Sequence, residues 1–96
     1  MRKYETVAAL LKNPKRWTKR VMARTAFGRS CPVTSPSAAS FCLIGACLRV
    51  YNPVARERVF KKLNAELDRI GSFSPAFFND THTHKEVLAL LQKANV

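Results

Sequence analysis

Tyr4, Val7, Ala8 and Leu11 recur at i, i+3, i+4 and i+7, the spacing of one helix face, and predict an amphipathic helix from about Lys3 to Lys12. Asn13 and Pro14 end it, since proline lacks the amide that the next helical turn needs. From Thr18 to Val33 the helical period disappears. Val21, Ala23 and Thr25 alternate there with Arg20, Met22 and Arg24, and Gly28 offers a turn before Cys31 and Val33, which predicts a short hairpin.

Ser35 followed by Pro36 has the form of an N-cap with proline at the first helical position, and predicts a helix running to about Tyr51. Its wheel is apolar nearly all round, with Arg49 the only charge, so it belongs in the centre of the fold. Gly45 and Ala46 would let another backbone approach closely. Asn52-Pro53 repeats the cap signal and opens a third helix that should stop at Gly71, burying Phe60, Leu63, Leu67 and Ile70, with Val59 beside them. Its charges form two edges, Arg58, Lys62 and Arg69 on one, Glu57, Lys61 and Asp68 on the other. Glu57 with Lys61 and Lys62 with Glu66 are i, i+4 pairs. Ser72 to Asp80 reads as a loop whose Phe73, Phe77 and Phe78 fold back over the core. Thr83 and Glu86 form a capping box before a last helix carrying Val87, Leu88, Leu90, Leu91 and Ala94. The expected fold is mainly α, α+β at most: one globular domain over residues 1–96, of about four helices with a short β-hairpin between the first and second.

Composition agrees with a small packed core. The 96 residues are 47% apolar and 24% charged, with three Gly and five Pro, which excludes collagen, low complexity and wholesale disorder. Charge changes the picture more. Seventeen Lys and Arg against six Asp and Glu leave a formal +11 on 10.8 kDa. The first thirty residues hold nine bases and one acid, a net of +8, while the other sixty-six hold eight bases and five acids. Such an imbalance points to polyanionic partners and says little about the fold.

No apolar run approaches the roughly 20 residues of a membrane span, and Val7 to Leu11 is too short for a signal-peptide core. A soluble, cytoplasmic protein is expected, with no membrane partner. Cys31, Cys42 and Cys47 make no CxxC pair and no even secreted framework, so buried structural thiols are expected.

Lys15-Arg16-Trp17-Thr18-Lys19-Arg20 surrounds one aromatic with four cations. Two readings compete: a platform where a base stacks while cations hold phosphates, or a core anchor with a solvated basic rim. Arg24 and Arg29 continue the basic run, and the edge Arg58, Lys62, Arg69 would extend it. Glu57, Glu66 and Asp68 on that same helix oppose its lying in a DNA groove, and Asn52-Pro53 poorly matches the turn of a helix-turn-helix. Asp80, His82 and His84 fall short of the three or four ligands that zinc takes at a recognised spacing, so no metal and no cofactor is expected. His84 sits on the apolar face with Leu88 and Leu91, while His82 should be exposed. Asn79 and Asp80 should tie their loop to the N-terminus of the last helix. Cys42, His84 and Asp80 contain the groups of a nucleophile, base and orienter, but burial in an apolar helix would raise the thiol pKa and oppose reactivity.

Lys15-Arg16-Trp17-Thr18, Ala23-Arg24 with Gly28, the Ser35 to Ala46 segment, and Phe78-Asn79-Asp80 followed by Thr83 to Leu91 together resemble a family of small domains of unknown function in bacteria, notably actinobacteria, and their phages. The resemblance implies a shared fold and a phage or mobile-element setting, and no activity. Members commonly carry Trp where Phe78 stands and are often neutral or acidic, so the +11 belongs to this chain. The expected function is a non-enzymatic basic binding protein that engages nucleic acid through phosphates. The alternative is a phage-encoded inhibitor, anti-CRISPR-like, docking on an acidic surface of a host protein or ribonucleoprotein complex that handles nucleic acid. A Cys-His enzyme comes third.

Overall fold

A computed structural model describes residues 4–96, so the predicted helix start at Lys3 lies outside the described residues. Helix α1 spans Val7–Leu11, where the Thr6 hydroxyl caps the first turn by accepting from the Ala9 amide. A 3-10 turn, Pro14–Arg16, follows at the Asn13-Pro14 stop, and its cap is the Asn13 carboxamide, which accepts from Lys15 N.

Strand β1, Ala23–Thr25, pairs antiparallel with β2, Ala38–Phe41, in the register Ala23 with Phe41, Arg24 with Ser40 and Thr25 with Ala38. A bulge lies between Arg24 and Thr25. The predicted hairpin is present before the second helix, but its main partner strand lies beyond residue 33. The Gly28 turn does fold Arg24 back onto Ser30, and the Cys31 amide donates to the Ala23 carbonyl at 3.0 Å, so β1 has short-range contacts on one side and β2 on the other.

That pairing corrects the helix expected from Ser35. Ser35 and Pro36 form a turn, with the Ser35 hydroxyl accepting from Ser37 N, and Ala38–Phe41 are extended because they pair with β1. Helix α2 is therefore shorter, Leu43–Val50, and its N-cap is Cys42, whose Sγ accepts from Gly45 N at 3.3 Å. Gly45 has the close approach its sequence position suggested. A Cβ there would run into the Met22 carbonyl, the same oxygen that accepts from Cys42 N at 3.2 Å.

Helix α3, Pro53–Arg69, starts at the Asn52 cap and stops as predicted: Gly71 takes φ +73° and Ser72 N donates to the Leu67 carbonyl at 2.9 Å, closing the end. It buries Val59, Leu63 and Leu67, with Phe60 half-buried, whereas Ile70 is left 46% exposed.

The segment expected as a loop holds a further helix. Helix α4, Pro75–Thr81, begins at Ser74, whose hydroxyl accepts from Phe77 N. Helical geometry turns Phe77 and Phe78 to different sides: Phe78 is buried, while Phe77 is 46% exposed and meets Phe73, just before the helix and 78% exposed, edge to face. Helix α5, His84–Lys93, carries the predicted capping box. Among the described residues there are thus five α-helices, four of them of seven residues or more, around the antiparallel pair.

The core gathers Leu10 and Leu11 of α1, Phe41 of β2, Leu43 of α2, Leu63 and Leu67 of α3, and Val87 and Leu91 of α5, all fully buried. Burying side chains of this size stabilises by roughly 1.5–3 kcal/mol each before conformational entropy is subtracted. Among the described residues, no helix is long and apolar enough to cross a membrane.

Candidate nucleic-acid interface

The basic segment from Lys15 to Arg29 is held against the helices through two adjacent side chains of α4, Asn79 and Asp80. Asn79 is the fully buried polar residue of the core, and both ends of its carboxamide are used. Oδ1 accepts from Trp17 Nε1 at 2.6 Å and from Leu43 N at 3.0 Å, while Nδ2 donates to the Thr18 carbonyl at 3.0 Å and to Asp80 Oδ1 at 3.3 Å. A buried amide with its partners in place specifies geometry, because each lost partner leaves a polar group desolvated and unpaired. The helix N-terminus that Asn79 reaches is therefore that of α2, not that of α5, which Thr83 and Glu86 cap by themselves.

Asp80 continues the attachment. Its Oδ1 accepts from Arg20 N at 2.8 Å, and Arg20 is held at φ +72°, the left-handed region that costs a side-chain-bearing residue about 1–2 kcal/mol. The Arg20 side chain is exposed. Trp17 is half-buried against the core, with its ring 5.6 Å from that of His84 and Lys19 Nζ 5.3 Å from its centroid. Thr18 N donates to the Phe41 carbonyl at 3.0 Å, so the segment also runs beside β2.

The six cations of this segment divide in two. Arg16 lies over the Tyr4 ring, 5.0 Å from its centroid, and Arg24 is spent on the chain itself. Arg24 Nε donates to Thr18 Oγ1 at 2.9 Å, Nη1 to the Gly28 carbonyl at 2.9 Å and Nη2 to the Lys19 carbonyl at 3.4 Å, binding the turn to the strand. Lys15, Arg20 and Arg29 are exposed. Among the described residues, no cation from Lys15 to Arg29 forms an ion pair.

On α3 the arrangement differs. Arg69 pairs with Glu66 through two nitrogens, and that contact holds the Glu66 carboxyl below its ordinary range. Glu66 therefore meets Arg69 and not the predicted Lys62, whose Nζ instead reaches the Asn95 carbonyl at 3.4 Å. Lys61 lies 3.8 Å from Glu57, as the spacing required, and Arg58 is exposed. Among the described residues, no hydrogen bond or ion pair connects the α3 cations with those of residues 15–29.

Sequence reasoning had no signal for two further arginines. Arg49 Nη1 donates to the Val33 and Ser35 carbonyls at 2.6 and 3.0 Å, holding the loop before β2, and Arg56 Nη2 donates to the Leu48 carbonyl at 2.9 Å. Loop carbonyls that miss a ladder are satisfied by guanidinium forks, a use of positive charge that composition cannot reveal.

Cys42, His84 and Asp80 are each engaged separately. His84 Nε2 lies 2.6 Å from the Leu11 carbonyl; a carbonyl only accepts, so this nitrogen carries the proton and closes the end of α1. Burial pushes the Cys42 thiol up, and pushes that of Cys47 up to about 12. Both are buried free thiols, while Cys31 is half-buried. His82, expected to be exposed, is half-buried: its ring stacks on Phe78 at 3.8 Å and Nδ1 lies 2.9 Å from the Phe78 carbonyl. Among the described residues, no three His, Cys, Asp or Glu side chains gather to hold a metal.

Comparison with curated proteins and with solved structures finds no match. A family model does match, over residues 2–95, and is described as a family of unknown function, DUF6197. It spans the anchored basic segment and every helix described above, so the chain belongs to this family.

Proposed function

We propose that this protein is a non-enzymatic nucleic-acid-binding protein that contacts phosphates through the surface of residues 15–29. One observation carries the reading: six cations and no acid between Lys15 and Arg29, with Lys15, Arg20 and Arg29 exposed and without ion pairs among the described residues. The attachment through Asn79 and Asp80 supports it, because anchoring the backbone of a charged segment lowers the ordering cost of binding. Arg58, an exposed cation of α3 with no ion pair among the described residues, is a secondary contact in this reading, while Lys61, Lys62 and Arg69 are engaged locally. The protein works in the cytoplasm, where free thiols and a nucleic-acid target coexist.

The test is a salt titration with a short duplex and a single strand of arbitrary sequence. Phosphate binding gives a linear fall of log affinity with log salt, with a slope near −0.9 per phosphate on duplex and near −0.7 on single strands. Failure of both probes to bind at about 50 mM salt overturns the reading.

A second reading, a phage-encoded inhibitor docking on a host complex that handles nucleic acid, is favoured by a different observation. Ile70, Phe73 and Phe77 are exposed around the α3–α4 junction, apolar surface of the kind that protein interfaces use. Binding of a partner that survives nuclease treatment and is lost in Phe73→Asp would favour it over the first reading.

A further inference from the structure

We propose that Phe27 is the base-stacking residue of this interface, and that the ligand is single-stranded nucleic acid; the inference rests on the phosphate-binding reading above. Phe27 is 95% exposed, more than any other large apolar side chain described. Its backbone is not loose. Thr25 N donates to the Arg29 carbonyl at 2.8 Å and Gly28 N to the Thr25 carbonyl at 3.0 Å, closing the turn. The Thr25 hydroxyl accepts from the amides of Phe27 and Arg29, each at 3.3 Å, and Arg24 Nη1 clamps the Gly28 carbonyl from the strand side. A turn tip held in this way presents one aromatic ring to solvent.

Turn geometry does not ask for that ring. Gly28 takes the positive φ, +84°, and the position before it accepts the small polar residues usual in turns. Nor does the core use it, because Phe27 packs against none of the buried cluster. Its neighbours along the chain are basic: Arg29 follows two residues on, Arg24 bonds the adjacent Gly28 carbonyl, and no acid occurs from Lys15 to Arg29. An exposed aromatic beside unpaired cations matches a nucleotide, whose base has a π-face and whose phosphate carries the charge. An apolar pocket on a protein would accept the ring and gain nothing from the cations. A duplex keeps its base faces stacked inside, so the match is to unpaired bases. Trp17 is the positioning aromatic here, half-buried and with its indole N–H given to Asn79.

Fluorescence anisotropy with a labelled oligothymidylate and with a duplex of equal length tests this in the full chain. Phe27→Ala should weaken oligothymidylate binding roughly 5- to 150-fold, the range that loss of one stacked base produces. Duplex affinity should change less than about twofold, and the salt slope should stay the same, because no phosphate contact is removed. Phe27→Trp should restore binding and Phe27→Leu should not. The thermal midpoint should not move, since the ring packs on nothing. Equal affinity of wild type and Phe27→Ala for the single strand overturns the inference alone. So does an equal loss on both probes, or full retention by Phe27→Leu. If the wild type binds neither probe at about 50 mM salt, the phosphate reading falls and takes this inference with it.

Discussion

The segment from Lys15 to Arg29 carries six cations and helix α3 carries five, yet the structure treats those charges in opposite ways. On α3, Arg69 and Lys61 face Glu66 and Glu57, so their charge is offset within a turn of its source, and Lys62 leans on the Asn95 carbonyl. In the segment the half-buried cations use neutral partners: aromatic rings for Arg16 and Lys19, carbonyls and a hydroxyl for Arg24. A carbonyl or a ring holds a guanidinium in place without neutralising it. Formal charge and available charge are therefore different quantities, and the chain concentrates the second in the segment that Asn79 anchors.

Charge removal should expose the largest contrast. If the segment is the phosphate site, replacing Lys15, Arg20 and Arg29 by Ala should flatten the duplex salt slope by up to about 2.7 and weaken binding by roughly 100- to 1000-fold near 0.1 M salt. The same treatment of Lys61, Lys62 and Arg69 should cost a few-fold at most. Equal losses in the two triples would erase the distinction between the regions.

Anchoring comes next. Asn79→Ala leaves Trp17 Nε1, Leu43 N and the Thr18 carbonyl without their partner and should destabilise by about 3 kcal/mol in urea unfolding, at 1–3 kcal/mol per buried group with incomplete additivity. Lys61→Ala, which breaks an exposed pair on α3, should cost about 0.5 kcal/mol or less. A loss below about 1 kcal/mol for Asn79→Ala would mean that the segment is held by other contacts.

The smallest effect is on pH. The Thr83 backbone and side chain hold Glu86 below the ordinary carboxylate range, and Arg69 does the same to Glu66. A carboxyl whose folded pKa is depressed contributes stability that is fully present above the unfolded value, about 4.3, and is lost as pH falls through the folded value. Thermal midpoints should therefore decline from pH 5 toward pH 3, and Glu66→Gln with Glu86→Gln should make that decline shallower. An unchanged pH profile in the double variant would show that neither contact is linked to folding.

The cap-and-proline signal shows how far local reading goes. It occurs at Asn52-Pro53, Ser74-Pro75 and Ser35-Pro36, and begins a helix at the first two and a turn at the third. At Ser74 it opens α4 inside the segment that reads as a loop. At Ser35 it misled, because the backbone of Ala38–Phe41 is claimed by β1, more than a dozen residues earlier in the chain. Cys42 gave no sequence warning that it would cap α2, since a thiol is rarely a cap and the residues around it are apolar throughout. The Lys15 to Arg29 run was legible as a charge excess, but its attachment was not: Trp17 and Asn79 are 62 residues apart.

The sequence by itself determined what short range controls. Caps and stops at Asn13, Asn52, Gly71 and Thr83, the apolar faces of α1, α3 and α5, the close approach at Gly45 and the polarised charge all follow from neighbours within a few residues. Only the tertiary structure decided which strand pairs with β1, which arginines are consumed by loop carbonyls and which remain free, and that Phe27 is left outside while Phe78 is taken in. Those outcomes depend on which unsatisfied backbone groups and apolar faces meet when distant segments pack together. A pattern written along one dimension does not contain that information.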